Sequence, residues 1–167
     1  MDGTVRKLDK ADVFVVTTDA FESVNEYENS IPLDTPKVEL NVEFTKKDIE
    51  TLMSLPKGTC AYFVNLSETM VRECIARLSQ LGVNHINFTP CFPGAEPVRK
   101  CNLAITVGES MYVPRDVEKI IDLGHRVPDS NTIVEIALRL KLDYLLEMDN
   151  FKKYFNSIAS SNYSFNQ

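Results

Sequence analysis

The residues best placed for chemistry lie between Phe92 and Leu142. An apolar run, Leu103-Ala104-Ile105-Thr106-Val107, leads directly into Gly108-Glu109-Ser110. A second short run, Ile120-Ile121-Asp122-Leu123, leads into Gly124-His125-Arg126. Small polar residues just past buried strands are where α/β folds hold ligands. The set offers a carboxylate at Glu109, a hydroxyl at Ser110 and a guanidinium at Arg126. Glu109 is suited to binding a ligand amine or hydroxyl, and equally to capping the amides of its own turn. Arg126 is suited to gripping an acidic ligand by two hydrogen bonds, and equally to pairing with Asp122 or Asp129. Gly124 is expected to supply a turn that needs positive φ.

The thiols offer less. Cys91 lies at the presumed ligand edge, with His85 six residues before it. A Cys–His pair can make a nucleophile. Residues so spaced across a strand and its loop point to different ends, so simple packing competes with catalysis. Cys60, Cys74, Cys91 and Cys101 contain no Cys-x-x-Cys pair, and neither His85 nor His125 stands beside one. No metal site is expected. The charged start MDGTVRKLDK has no apolar core, so no signal peptide is expected, and buried, reduced thiols in a cytoplasmic protein are the expectation.

Several known machines are excluded by motif. The chain has no G-x-x-x-x-G-K-[ST] loop, no G-x-G-x-x-G and no G-x-S-x-G elbow. A phosphoacceptor receiver needs a second acid where this chain has Asn65, and a lysine after Thr106 that is absent. Nucleophile, base and orienting group do not cluster, so the sequence reads as a non-enzyme without a cofactor.

These residues need a scaffold. The chain has 167 residues, of which 44% are hydrophobic and 25% charged, enough for one globular domain with a short appendage. Its net charge of −6, with Lys and Arg scattered, argues against direct nucleic-acid contact. No apolar run approaches a membrane span. Short apolar runs at 12–17, 38–42, 60–64, 86–88 and 103–107 alternate with helical patterns. Asp19 begins one such helix, with Phe21, Val24 and Tyr27. Thr45 with Asp48 forms a capping box for the next, and Ser67 caps a third that Gly82 ends. A loop is expected from Pro90 to Pro97, and a well-capped helix from Ser130.

This alternation predicts an α/β fold with a mainly parallel sheet and helices on both faces, a flavodoxin-like three-layer arrangement. Residues 1–142 form that domain, and residues 143–167 form a C-terminal connector helix with a polar, frayed tail. The strand-end rule then nominates Thr17, Thr18, Asn65, Ser67, Thr106, Gly108, Glu109, Ser110 and Arg126 as ligand-binding residues. Met148, Phe151, Phe155 and Ile158 recur at spacings of three and four, an apolar stripe suited to folding back or to pairing two copies.

One family resemblance emerges. Pro93-Gly94, Leu103 to Glu109, Val113-Pro114, Ile120 to Arg126 and Thr132 to Ala137 resemble a segment of bacterial sigma-54-dependent transcriptional activators. Leu55 to Thr59 and Leu81-Gly82-Val83 extend the likeness. It is to their N-terminal sensor, as in the activator of propionate catabolism. The resemblance implies a small-molecule effector, a regulatory role and a domain followed by others, with Tyr154 to Ile158 similar to the connector. The ATPase and DNA-binding motifs of such activators are missing from these 167 residues. A protein-interaction module without a small ligand is the alternative reading, and a small enzyme built on Cys91 or Glu109 the third.

Overall fold

The computed structural model describes residues 8–17 and 30–160. The helix expected after Asp19, the candidate Thr18 and the tail from residue 161 lie outside the described residues. The chain divides into two compact units. One comprises residues 1–43 and 128–158, the other residues 44–127 and 159–167. The boundary expected after residue 142 falls inside the first.

The second unit is built on a four-stranded parallel sheet. Its strands are β4 (Cys60–Val64), β5 (Asn87–Cys91), β6 (Leu103–Thr106) and β7 (Lys119–Asp122). They lie in the order β5-β4-β6-β7. Alternation along β4 gives the sheet two different faces. Ala61 and Phe63 join one cluster with Ile105 and Val107, and Tyr62 and Val64 join another with Ala104 and Cys91. Helices α1 (Lys46–Met53) and α2 (Glu68–Gln80) both pack on the Phe63 face, through Ile49 and Leu52 and through Val71, Cys74 and Leu78.

The helix starts follow the sequence. Thr45 and Asp48 form the expected capping box, each side chain accepting from the other's backbone N–H. Ser67 caps α2 by accepting from the Met70 N–H at 3.3 Å. Caps of this kind are worth about 1 kcal/mol each.

The proline-rich loop expected from Pro90 to Pro97 is found once β5 ends at Cys91, but both helices of this unit lie on one face, and the connections after β5 and β6 add no helical layer on the other. Neither contains an α-helix; residues 92–102 and 107–118 are loop, relieved by one 3-10 turn at Ser110–Tyr112. Pro93, Pro97 and Pro114 account for this, since proline lacks the N–H a helix interior needs. These loops and Val113 and Val117 cover the Tyr62 face. Strand β5 also runs further than the sequence suggested, through Pro90 to Cys91. It is an edge strand, where a missing proline N–H costs no ladder bond.

The first unit holds β1 (Phe14–Val16) and β2 (Lys37–Glu39), which pair in parallel as a sheet of their own. The run expected as one strand at 38–42 therefore divides: β2 ends at Glu39, and β3 (Val42–Glu43) begins after a break. Buried Thr132 holds that break, accepting from the Asn41 N–H at 3.1 Å. Thr132 belongs to α3 (Ser130–Arg139), which follows the short strand β8 (Val127–Pro128) and is capped by Asp129. Lys141, with φ of 58°, ends α3 in a left-handed cap closed by Leu142 N–H to the Ala137 carbonyl at 2.8 Å. Helix α4 (Asp149–Ser157) is held by the Tyr154 hydroxyl, which donates to the Pro128 carbonyl at 2.6 Å. Its stripe is graded: Met148 is 49% exposed, Phe151 and Phe155 are half-buried, and Ile158 is 7% exposed.

The expectation that all four cysteines are reduced is corrected. Cys60 and Cys101 are joined in a disulfide, with Cα atoms 5.6 Å apart, while Cys74 and Cys91 are free and buried. Spacing in sequence concealed the pair, because parallel pairing of β4 with β6 is what brings residues 41 apart together. Alkylation of the denatured, unreduced chain should label Cys74 and Cys91 alone, and reduction should expose Cys60 and Cys101. Closing a loop of this length is worth about 4 kcal/mol at most. Reduction, or paired Cys60→Ser and Cys101→Ser changes, should lower the melting temperature accordingly. Equal labelling of all four thiols before reduction would show that the bond does not form.

Candidate functional site

The sheet order reverses at β4, because the chain goes from β4 outward to β5 and then back across to β6. The crevice beyond the carboxyl ends of β4 and β6 is thus a topological switch point. Asn65 and Ser67 follow β4 there, and Thr106, Gly108, Glu109 and Ser110 close or follow β6.

The structure shows how those residues are employed. The Thr106 hydroxyl donates to the Val64 carbonyl at 3.2 Å and accepts from the Glu109 N–H at 3.0 Å. Buried Asn65 accepts from the Leu66 N–H at 2.8 Å and turns its amide toward the Cys74 sulfur, 3.7 Å away. Ser67 is occupied as the α2 cap. Thr17 follows β1 in the other unit and is exposed.

Asp122, at the end of β7, organises the loop after β6. Its carboxylate accepts from the Gly108 N–H at 2.9 Å, the Gly124 N–H at 2.9 Å and the Ser110 hydroxyl at 2.6 Å. Partial burial raises its pKa, but the bonds from Ser110, Gly124 and Gly108, with the nearby His125, outweigh that and hold it below the usual carboxylate value. The carboxylate that caps the turn is therefore Asp122 and not Glu109. The sequence placed Asp122 as a possible partner of Arg126. Its oxygens are instead engaged by this loop, and the Arg126 guanidinium sits 5.9 Å from the centre of the Phe44 ring, within cation–π range.

His125 was missed as a site residue. Its ring lies where a Cβ on Gly108 would have to be. Gly108 also has φ of +95°, so the position requires glycine twice over, by backbone and by contact. The two Gly-containing turns after adjacent strands were the signal available in the sequence.

The catalytic alternatives find little support. His85 lies before β5, with Nε2 3.2 Å from the Leu52 carbonyl, while Cys91 ends the same strand. Burial pushes the Cys91 thiol pKa up, away from thiolate. Ser110 gives its proton to a carboxylate and not to a histidine.

Cys91 does line a recess of about 500 Å³ on the Tyr62 face of the sheet. Its lining comes from the end of β5, the loop that follows it and the loop after β6. Tyr62, Phe92 and Tyr112 contribute rings. Lys100 and Asp116 also line it, as an ion pair of 3.0 Å. Hydrogen bonding to Asp116 raises the Lys100 pKa, and the same bond lowers that of Asp116.

No family model, curated protein or solved structure matches the chain. No group of acidic, His and Cys side chains that could hold a metal occurs among the described residues. No helix among the described residues is long and apolar enough to cross a membrane.

Two outcomes follow from the Asp122 cluster. A carboxyl whose folded pKa is depressed adds stability above its unfolded pKa of about 4, and that stability is lost as pH falls through the lower folded value. Melting curves of wild type should therefore fall more steeply below about pH 4 than those of Asp122→Asn. Parallel curves would show that the cluster adds nothing. Separately, Gly108→Ala should destabilise by about 1 kcal/mol or more. In a His125→Ala background part of that loss should vanish, a coupling of about 0.5 kcal/mol or more. Strict additivity would mean the ring does not press on Gly108.

Proposed function

We propose that the chain is the ligand-sensing part of a bacterial transcription regulator, similar to the sensors of sigma-54-dependent activators. It holds a small metabolite beside the strand ends of its parallel sheet. The observation that carries this reading is the recess of about 500 Å³ formed by Cys91 and the loops after β5 and β6. Its size falls within the range of small-molecule sites, and its lining includes Cys91 and Phe92 at the carboxyl end of β5. The strand order β5-β4-β6-β7 supports a flavodoxin-like reading of the sheet.

Binding without turnover fits the chemistry. Burial pushes the Cys91 thiol away from thiolate, and Thr106, Asn65, Ser67, Ser110 and Asp122 spend hydrogen bonds within the chain. The net charge of −6 fits a domain that leaves DNA contact to other parts of a regulator. The cytoplasm is the proposed setting. Disulfides are rare there, so the alkylation test bears on this setting too: a Cys60–Cys101 bond that persists in protein drawn from cells would count against it.

A second reading has one specific observation behind it. Met148 is 49% exposed and Phe151 only half-buried, so the α4 stripe offers apolar surface to a second copy. The two readings combine if effector binding changes what this stripe does, which requires a ligand that favours one state over the other.

The test is a thermal-shift screen of organic acids and amino acids, followed by hydrogen exchange and light scattering with each compound that binds. A sensor should gain stability with at least one compound, by about 2.7 kcal/mol at a hundredfold excess over its dissociation constant. The same compound should change exchange across residues 148–158 or the mass in solution. Binding that leaves both untouched would remove the sensing role.

A further inference from the structure

The recess on the Tyr62 face has a chemical character that selects among ligands. Its floor is Tyr62, a central residue of β4 that is only 4% exposed. Phe92 and Tyr112 add two further rings, and Tyr112 is 40% exposed. Pro93, Pro97 and Pro114 add flat, rigid pyrrolidine surfaces. Surfaces of this kind favour a planar ring, because aromatic pairs gain energy beyond the area they bury. Proline-rich loops also lose little entropy when a ligand seats against them.

The charges in the lining are one of each sign. Lys100 and Asp116 form an ion pair whose side chains remain 71% and 58% exposed. Such exposed pairs add little stability, so their exchange for ligand contacts is inexpensive. A polyanion would find a single cation here with a carboxylate directly against it. A ligand that carries one ammonium and one carboxylate satisfies both. A volume of about 500 Å³ suits a ring with a short charged head and is small for a dinucleotide.

We propose that this recess binds an aromatic amino acid. The ring packs against Tyr62, Phe92 and Tyr112, the carboxylate meets Lys100, and the ammonium meets Asp116. This assignment rests on the reading that the sheet unit binds a small molecule, and it names the class of that molecule. It also moves the ligand from the Asp122 cluster, where the polar groups are already paired, to the face where rings and charges remain available.

The chain contains no tryptophan, so the fluorescence of added L-tryptophan can be read against a background free of other indoles. Titrating the full chain into L-tryptophan should give a saturable blue shift, as the indole leaves water. Tyr112→Ala should weaken binding about tenfold, while Tyr112→Phe, which keeps the ring, should change it little. Asp116→Asn should weaken L-tryptophan but not indole-3-acetate, which has no ammonium. Absence of a saturable shift would overturn the site, as would equal affinity in wild type and Tyr112→Ala. Equal affinity of wild type for L-tryptophan, tryptamine and indole-3-acetate would overturn the amino-acid assignment.

The two proposals can fail separately. If a non-aromatic acid stabilises the chain and alters exchange in residues 148–158 while L-tryptophan does not bind, the aromatic assignment falls and sensing stands. If L-tryptophan binds as described but changes neither exchange in that segment nor the mass in solution, the site stands and the sensing reading falls.

Discussion

Strand β4 hydrogen-bonds to β5 on one edge and β6 on the other, in parallel on both sides. That double pairing fixes most of what surrounds it. Parallel neighbours cannot be joined by tight turns, so each connection must cross the sheet. Residues 60–64 therefore put Phe63 under helices on one face and Tyr62 under loops on the other. The carboxyl ends of all four strands are gathered along one edge, and the chain reverses its direction of travel at β4. The Cys60–Cys101 bond, the switch-point crevice and the aromatic recess are all consequences of that arrangement.

The two faces are covered by different means, and composition explains why. Segment 68–80 has an apolar stripe, a serine cap and no proline, so it folds as α2. Segments 92–102 and 107–118 carry Pro93, Pro97 and Pro114 and cannot form long helices. A helix laid on a sheet fills the surface with side chains along its length. A loop leaves gaps, and the recess above Tyr62 is one. The same prolines that deny helix to these loops keep them stiff, so the gap has defined walls.

Much of this was legible in the sequence because it is local. The Thr45–Asp48 box, the Ser67 cap, strands β4 and β6 and the glycine turns at 108 and 124 depend on neighbours within a few residues. The division of 38–42 into two strands was not legible, because buried Thr132 lies 91 residues from Asn41 and holds the break. The role of Asp122 was concealed for a similar reason. It reads as one position in an apolar run, and only pairing of β6 with β7 brings it to the amide of Gly108, 14 residues away. The disulfide required the same lateral knowledge. Strand registry was the quantity the sequence lacked, and each of these contacts depends on it or on an equivalent long-range contact.

Registry also separates two kinds of polar group that a linear reading treats alike. Thr106, Asn65, Ser110 and Asp122 stand at strand ends, where ligands bind, yet each spends its hydrogen bonds on the chain itself. A ligand at those groups must replace contacts that already satisfy them, and a group left unpaired on the way costs about 1–3 kcal/mol. At the recess nothing of that kind must be broken except an exposed ion pair, whose rupture costs little because water and ligand both compensate it. Binding energy gained against Tyr62, Phe92 and Tyr112 is then free to appear as affinity. The strand-end rule locates the edge of the sheet at which to look. Which groups on that edge remain available is decided by the hydrogen bonds already made, and here they leave the aromatic face open and close the carboxylate cluster.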